Sequence, residues 1–312
     1  MGRDLRYLPK SGALVEITQR TFQGRPLLKP SKRLRSLVVG CVAKAQLNTG
    51  AALHGLVFLS THFHLLCSFE SVEQMAAFMG QLKTSLSIEI GHLHRWRGGI
   101  WGHRYHCVPV SEEPGAQIAR LRYLLEHGCK ENLVMSPLDW PGAQGADSLC
   151  TGRPLAGVWI DRTAFHRAKA SDPSVKLEQF ERSLDINFEA LPCWSRDPEE
   201  VWRRRVDELI RDIEEETARR HHRLQTKPLG AAAVAAVDPH DHPRSLKTSP
   251  RPRFHAAAKA VRRALLQAYR EFLAAYRIAA EQLAEGDLNA RFPGNCFPPR
   301  LAFVPPSPPE PG

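Results

Sequence analysis

The chain predicts an α+β fold of the ferredoxin-like type, an antiparallel sheet with packed helices, followed by a mainly helical C-terminal extension. Two observations carry this prediction. Residues 12 to 128 alternate strand-like and helix-like patterns in the order β-α-β-β-α-β-α, and an antiparallel sheet with helices packed on it is the simplest arrangement that buries all of these apolar faces. After about residue 150, charged segments of helical period replace this alternation.

The first elements are indicated by side-chain alternation and by a capping residue. From residue 13 to 21, ALVEITQRT alternates polar side chains such as Glu16 with apolar ones, which is typical of a strand. Ser31 can cap the helix that follows. The apolar runs at 52–60 and 62–69 predict two strands that are close enough to pair as a hairpin.

Helix signals dominate the next segment. Ser71 and Gln74 form a capping-box pattern, after which apolar side chains recur every three or four residues and predict a long helix. WRGGIWGHRYHCVPV, at 96–110, predicts a turn and a fourth strand. A further helix is predicted from Pro114 to Gly128, because glycine suits the left-handed conformation that follows many helices.

Composition divides the chain into five predicted parts. They are a first domain at 1–150, a helical extension at 151–230, a linker at 231–254, a C-terminal helix at 255–300 and a disordered tail at 301–312. Within the extension, a loop is predicted ahead of one long charged helix. The linker is rich in Ala, Pro and charge, and the tail is rich in Pro.

The composition also limits the class of protein. Lys and Arg number 43 against 33 Asp and Glu, a net charge of +10, which favours a polyanionic partner such as nucleic acid; a merely basic soluble protein is the alternative. Seven widely spaced cysteines without a CxxC pair argue against a disulfide framework or a zinc ribbon and favour reduced thiols in the cytoplasm. No apolar run reaches about 18 residues, so no membrane association is expected.

Four residues suggest a site. His62 and His64 alternate along a strand and therefore share one face, where two imidazoles could bind a divalent ion or simply hydrogen-bond to neighbours. Tyr123 and His127 are four residues apart on a helix and also share a face. If this helix covers the histidine face, His127 completes a three-histidine site beside Tyr123. The alternative for Tyr123 is an amphipathic side chain at the helix surface.

The order and spacing of several motifs carry a family resemblance over about residues 1–165. These motifs are GALVEITQRT…GRPLL, STHFHLL, MAAFMGQLKTSLSIEIGHLH, GGIWGHRYHCVPV, RYLLEHGCKENLV and DWPG. The chain resembles the single-tyrosine HUH transposases of the IS200/IS605 type, and more closely their REP-associated tyrosine transposase relatives. The resemblance implies the HUH endonuclease form of the predicted fold. Residues 170–300 resemble an extension of a longer subgroup, to which no function is assigned.

The resemblance also implies a chemistry. His62 and His64 correspond to the metal-binding histidines, Tyr123 to the nucleophile, and His127 to a third ligand that is usually Gln or Asn; Thr61 stands where Asn is frequent. The implied reaction is metal-assisted cleavage and rejoining of DNA through a 5′-phosphotyrosine intermediate, with Mg²⁺ or Mn²⁺ and no nucleotide cofactor. A nitrogen donor in place of oxygen favours Mn²⁺ over Mg²⁺.

The implied partners are single-stranded or hairpin DNA and a second copy of the chain. Trp96, Trp101 and Tyr105 could stack on unpaired bases, although Trp101 is better explained as a packing anchor. An alternative function is a catalytically impaired or domesticated HUH-fold protein that only binds DNA; a replication initiator or relaxase is a third. The basic residues that we expect to contact DNA are Arg20, Arg25, Arg104, Arg120, Arg122 and Lys130.

Overall fold

A four-stranded antiparallel sheet with helices on both faces forms the first half of the protein, in a computed structural model that describes residues 5–242 and 252–299. Its elements are β1 (Ala13–Arg20), α1 (Lys32–Thr49), β2 (Ala52–Phe58), β3 (His62–Phe69), α2 (Val72–His94), β4 (His106–Pro109), α3 (Pro114–Leu125) and α4 (His127–Lys130). The strand order is β2-β3-β1-β4. The predicted α+β class, the order of elements and the β2–β3 hairpin are confirmed.

The second half adds helices and a two-stranded sheet. Its elements are α5 (Ala146–Thr151), β5 (Leu155–Ile160), α6 (Arg162–Ser171), β6 (Glu181–Ile186), α7 (Glu199–Leu224), α8 (Ala231–Ala236) and α9 (Lys259–Ala284). Within residues 5–242 and 252–299, no helix is both long enough and apolar enough to cross a membrane. The predicted tail at 301–312 lies outside the described residues, as does 243–251 of the predicted linker.

The strand alternation separates two cores. Phe63 and Leu65 of β3 are fully buried against α1 and α2 on one face of the sheet. Leu66 points to the other face, where it packs with α3 and with apolar side chains of α7 such as Ile210 and Ile213. Because side chains alternate across a strand, the even-numbered His62 and His64 lie on this second face. Helix α7, the long charged helix of the extension, therefore contributes to the core on the same face of the sheet as the histidines.

The helix that carries Tyr123 does not end as predicted. Helix α3 ends at Leu125 and α4 follows after one residue; Gly128 lies inside α4, outside the left-handed region, and the left-handed residue is Asn132, with φ 57°. The prediction that the backbone of Gly128 is left-handed was wrong. The role of this glycine is to leave room for the side chain of Val134. A Cβ atom there would lie 3.0 Å from Cγ2 of Val134.

The segment predicted as a loop ahead of α7 contains a strand. β5 and β6 pair as an antiparallel hairpin and pack on α1. The contact is made by two glycines, because a Cβ atom on Gly40 would lie 2.2 Å from the carbonyl carbon of Val158, and one on Gly157 would lie 2.5 Å from the amide nitrogen of Gly40. The helix and the hairpin thus touch backbone to backbone.

The C-terminal segments return to the sheet. Within the stretch predicted as a linker, α8 buries Val234 in the second core. The backbone of His255 pairs with the chain at the end of β4. Its N–H donates to the carbonyl oxygen of Pro109, and its carbonyl oxygen accepts from the N–H of Ser111. Helix α9 packs against the start of the chain through Tyr269, beside Tyr7 at 5.2 Å between ring centroids.

Candidate functional site

Three imidazoles converge on the second face of the sheet. His62, His64 and His127 each offer one nitrogen, and these nitrogens lie within 4.8 Å of one another. Nε2 of His62 is 2.9 Å from Nε2 of His127. The ring centroids of His64 and His127 are 4.6 Å apart. Two of these histidines come from one strand and the third from the helical segment that covers it.

Packing of α3 on the hairpin brings His127 to the strand. Leu121 and Leu124 of α3 are buried on this face with Leu66 of β3. The approach is close because Gly55 has no side chain: a Cβ atom there would lie 3.2 Å from Cδ1 of Leu121. Since α4 follows α3 almost directly, the position of His127 is set by this helix–sheet contact.

The orientation of His64 is fixed by β1, its neighbour in the sheet. Thr18 is directly opposite His64 in the register, and its hydroxyl lies 3.1 Å from Nδ1 of the imidazole. The same Nδ1 lies 2.9 Å from Oε1 of Glu16. A carboxylate can only accept, so Nδ1 carries a proton and donates to Glu16. A carboxylate behind a histidine is the usual support of a metal-ligating imidazole.

Glu16 is a buried carboxylate with several positively charged or polar neighbours. Its Oε2 is 3.0 Å from Nε2 of His255 and 3.5 Å from a terminal nitrogen of Arg120. Burial raises the pKa of this carboxyl, but the hydrogen bonds from His255 and His64 outweigh burial and hold the pKa below its usual range. Glu16 is therefore ionised at neutral pH.

The other two imidazoles are neutral at pH 7. Burial, together with the neighbouring imidazoles, lowers the pKa of His62 to about 3 and that of His127 to about 2. Among the described residues, Nδ1 of His127 is buried without a hydrogen-bond partner. Neutral imidazoles with available lone pairs are the form that binds a divalent ion. The donor set at this cluster fits such an ion.

Tyr123 borders the histidine cluster. Its ring centroid is 5.4 Å from that of His64 and 5.0 Å from that of His127. The guanidinium of Arg120 and the ammonium of Lys130 lie 4.9 Å and 4.7 Å from the centre of the ring. Burial and the charge of Glu16 raise the pKa of Tyr123, while Arg120 opposes them. Two cations thus face the phenol from close range.

Three of the predicted basic residues lie near the cluster. Arg120 and Lys130 contact the ring of Tyr123 as described. Arg20 is opposite His62 in the β1–β3 register, and its positive charge helps to lower the pKa of that imidazole. Arg20 thus adds positive charge beside His62, and Arg120 and Lys130 add it over the ring of Tyr123.

The other three basic residues have different surroundings. Arg122 donates to Glu216 at 2.6 Å and also lies 3.9 Å from Asp212, so it is directed at α7. Arg25 donates to the carbonyl oxygen of His240 and lies over the ring of Trp96 at 5.3 Å. Arg104 precedes β4 and lines a separate cavity.

The aromatic candidates differ in exposure. Trp101 packs edge-on against Phe63 with a centroid distance of 5.6 Å, and its Nε1–H donates to the carbonyl oxygen of Lys83. The interpretation of Trp101 as a packing anchor is therefore confirmed. Tyr105 is buried in the first core. Trp96 remains partly exposed beside Arg25.

Sequence reasoning missed the residues that support the histidines. Glu16 and Thr18 had a signal, because both are polar and occupy alternate positions of a strand that is otherwise buried. A charged side chain inside a central strand is uncommon unless it has a partner. His255 had no signal, since it lies in the stretch that borders a predicted linker and reaches Glu16 only through tertiary packing.

No family model and no curated protein matches the chain. Among solved structures, the chain is similar to a REP-associated tyrosine transposase bound to a REP hairpin, with a TM-score of 0.41, 16% identity, and coverage of 50% of this chain and 90% of that one. It is also similar to a protein of Deinococcus radiodurans R1 assigned to the transposases, with a TM-score of 0.28, 20% identity, and coverage of 38% and 94%.

Proposed function

We propose that this protein is a DNA transposase that cuts and rejoins single-stranded DNA through Tyr123. His62, His64 and His127 would hold a divalent ion at the scissile phosphate. The observation that carries the proposal is the convergence of one tyrosine and three imidazoles, two of them neutral at pH 7, on a single face of the sheet. The motifs shared with single-tyrosine HUH transposases point to the same chemistry.

The reaction needs a nucleophile that can also act as a leaving group. Tyr123 loses its phenolic proton to solvent, and its oxygen forms a bond to phosphorus while the bond to the 3′ oxygen breaks and that oxygen gains a proton. The products are a 5′-phosphotyrosine link and a free 3′-OH, and the reverse attack restores the strand. Because the covalent link retains the bond energy, no nucleotide cofactor is needed.

The surrounding charges favour the phenolate. Burial raises the pKa of Tyr123, so deprotonation needs compensating positive charge. Arg120 and Lys130, which lie over the ring, supply it and also attract the DNA phosphate. A divalent ion bound at the histidines supplies neutralisation of the phosphate oxygens. Three nitrogen donors favour Mn²⁺ over Mg²⁺.

The proposed substrate is single-stranded or hairpin DNA. The net charge of +10 favours a polyanion. Arg120 and Lys130 place positive charge over Tyr123, and Arg20 adds it beside His62. We propose a homodimer as the active form, on the basis of the family resemblance.

Trapping the covalent intermediate tests this function. Purified protein is mixed with single-stranded DNA from the flanks of its own gene, with Mn²⁺ or Mg²⁺, and denaturing gels are examined for a protein–DNA adduct. We expect an adduct that requires metal and is absent from Tyr123→Phe. Tyr276→Phe is the matched control, because the Tyr276 hydroxyl donates to the carbonyl of Phe297 away from the cluster, and it should form the adduct normally. An adduct that survives in Tyr123→Phe would overturn the assignment of the nucleophile.

The second candidate function is DNA binding without cleavage, by an impaired or domesticated relative. It is favoured by His127, because the HUH transposases that the chain resembles usually have Gln or Asn at the position of the third ligand. Tight binding of DNA, with no adduct in either metal and no heat of Mn²⁺ binding by calorimetry, would identify this function.

A further inference from the structure

A small aromatic and basic surface lies beside the histidine cluster. Trp96 follows the end of α2 and is partly exposed. The guanidinium carbon of Arg25 lies 5.3 Å from the centre of its ring, which is within the range of a cation–π contact. We call these two side chains the Trp96 platform. An accessible indole next to a guanidinium is a combination that binds unpaired nucleic-acid bases by stacking.

The indole of the Trp96 platform is held in place by the surrounding backbone. The backbone N–H of Trp96 donates to the carbonyl oxygen of Gly91 at 2.9 Å, and its Nε1–H donates to that of Gly99 at 3.2 Å. A Cβ atom on Gly98 would lie 3.1 Å from Nε1 of the indole, so this glycine lets the loop pass close to the ring. A ring that is already fixed loses little conformational entropy when a base stacks on it.

An imidazole already covers part of the Trp96 platform. The ring centroid of His240 lies 5.6 Å from that of Trp96, with an angle of 41° between the two planes. The carbonyl oxygen of the same residue accepts from a terminal nitrogen of Arg25. A flat ring on the indole and an oxygen acceptor on the guanidinium are also what a nucleotide offers, through its base and its phosphate. His240 thus makes the two contacts that we expect of a bound nucleotide.

The segment that carries His240 is exposed and therefore displaceable. His240 is itself exposed, as are Asp238 and Asp241, and its backbone N–H donates to Oδ1 of Asp238 within a tight turn. A segment with few buried contacts opens at a low cost in free energy. When it opens, Arg25 retains its hydrogen bond to the side-chain oxygen of Gln23, at 3.2 Å. This partner is neutral, so the guanidinium keeps its charge for a phosphate.

Two threonines join the Trp96 platform to the histidine cluster. The hydroxyl oxygen of Thr21 lies 2.6 Å from the carbonyl oxygen of Arg25 and 2.8 Å from that of Thr61. The hydroxyl of Thr61 lies 3.0 Å from Nδ1 of His62. The platform and the cluster therefore meet at the end of the sheet where β1 finishes and β3 begins. A strand that leaves Tyr123 past His62 reaches the platform next.

We infer that the Trp96 platform stacks one unpaired base of the DNA strand that is cut at Tyr123, and that His240 covers the platform until DNA displaces it. This inference rests on the proposed function. It gives part of the predicted linker a role, because residues 238–242 compete with DNA and lower its affinity. The chemistry that the platform recognises is that of a base with its phosphate, and a free nucleotide is the other source.

Equilibrium binding without cleavage tests the inference. The Tyr123→Phe protein in EDTA is titrated against a fluorescent single-stranded oligonucleotide of about 12 residues, and anisotropy is recorded. In this background, His240→Ala should lower the dissociation constant about threefold, because the platform no longer has to be uncovered. His242→Ala is the matched control, since His242 is exposed in the same segment, and it should leave the constant unchanged. A variant that only damaged the fold would raise the constant.

The platform itself is tested by removing its flat ring. Trp96→Leu should raise the dissociation constant about tenfold, and His240→Ala should have no further effect in that variant, because the two residues act as one unit. Trp159→Leu is the control. Trp159 is also partly exposed beside a cation, with Nζ of Lys44 4.8 Å from its ring centre, but it lies on β5. It should change the constant by less than about twofold.

Three outcomes would overturn the inference. They are an unchanged or higher constant for His240→Ala, equal constants for Trp96→Leu and Trp159→Leu, and no binding of the oligonucleotide at all. Competition by a free deoxynucleoside monophosphate at micromolar concentration would overturn the assignment to the DNA strand. The adduct assay judges the proposed function separately. A normal adduct with unchanged constants removes only the inference, and the expected constants without an adduct remove only cleavage.

Discussion

Glu16 links the histidine cluster to the segment that contains His255. Its two carboxylate oxygens contact His64 on one side and His255 on the other, with Arg120 at 3.5 Å. A negative charge at this place keeps a proton of His64 on Nδ1 and holds the imidazole in its orientation. The effect of Glu16 on metal binding can be measured by changing its charge without changing its shape.

Glu16→Gln should weaken Mn²⁺ binding about 10- to 100-fold, because the amide cannot supply the negative charge behind His64. Isothermal titration of the metal-free protein measures the affinity. Glu112→Gln is the control, since Glu112 is exposed and pairs only with Lys10 among the described contacts, and it should bind Mn²⁺ as the wild-type protein does. Equal affinities for the two variants would show that Glu16 does not act on the site.

His54 makes the stability of the fold dependent on pH. Its Nε2 lies 2.9 Å from Oγ of Ser68, and burial lowers its pKa to about 4. In the unfolded chain the same imidazole takes up a proton near pH 6.5. The unfolded state therefore binds more protons as the pH falls from 6.5 towards 4, and the stabilising contribution, complete above pH 6.5, is lost over that window.

His54→Gln should remove this dependence. Between pH 7 and pH 5 the neutral imidazole accounts for a loss of about 2 kcal/mol in the free energy of unfolding, so the variant should lose about 2 kcal/mol less than the wild-type protein over the same interval. Urea titrations of the metal-free proteins at both pH values measure the difference. Parallel losses in the two proteins would contradict the argument.

At the scale of residues, the spacing of side chains along the sequence was enough to predict the histidine cluster. The contacts between distant parts of the chain that support this cluster could not be predicted in this way. A spacing of two on a strand and of four on a helix put His62 with His64 and Tyr123 with His127, and the structure brings the four together. No local pattern connects Glu16 with His255, which is 239 positions away by subtraction of their numbers. Such a pair becomes visible only after the chain has folded.

At the scale of elements, the contact between α1 and the β5–β6 hairpin leaves no space for a side chain at Gly40. Gly40→Ala should destabilise the protein by about 2 kcal/mol or more, because the hairpin backbone must move away. Gly80→Ala is the matched control in α2, since nothing lies within 4 Å of a Cβ atom there, and it should gain about 1 kcal/mol of helix propensity. Urea unfolding midpoints compare the two, and equal midpoints would contradict the close packing.

The β5–β6 hairpin is also where the prediction of secondary structure from the sequence failed. The strands of the four-stranded sheet are apolar or alternate clearly, and their positions were predicted within a few residues. β6 has the sequence ERSLDI, with its side chains partly exposed except Ile186, and α6 separates it from β5. Its strand conformation comes from pairing with β5 and packing on α1, so the local sequence carries little signal of it.

At the scale of the whole molecule, the positive charge is unevenly available to the proposed DNA substrate. The ammonium of Lys130 is half exposed beside Tyr123 and lies 3.6 Å from one carboxylate, that of Glu126. Arg122 is held among three carboxylates, those of Glu126, Asp212 and Glu216. A side chain that neutralises a DNA phosphate releases a counterion, and this release sets the salt dependence of binding.

Lys130→Gln should therefore reduce the slope of log affinity against log salt by about 0.7 for single-stranded DNA. Arg122→Gln removes the same formal charge and should leave the slope unchanged, because that guanidinium is already neutralised by protein carboxylates. Anisotropy titrations at several salt concentrations give both slopes. A smaller slope for Arg122→Gln than for Lys130→Gln would reverse this assignment.

The packing of residues 7 and 16 against segments far along the chain has a consequence for synthesis on the ribosome. Tyr7 packs against Tyr269 and Phe272, and His255 contacts Glu16, so residues made early meet residues made much later. While translation is under way, a nascent chain has its histidines and Tyr123 before it has His255, the last partner of Glu16. A chain that has not yet reached His255 therefore lacks the complete site, which limits the proposed DNA cleavage to chains in which this segment has been made.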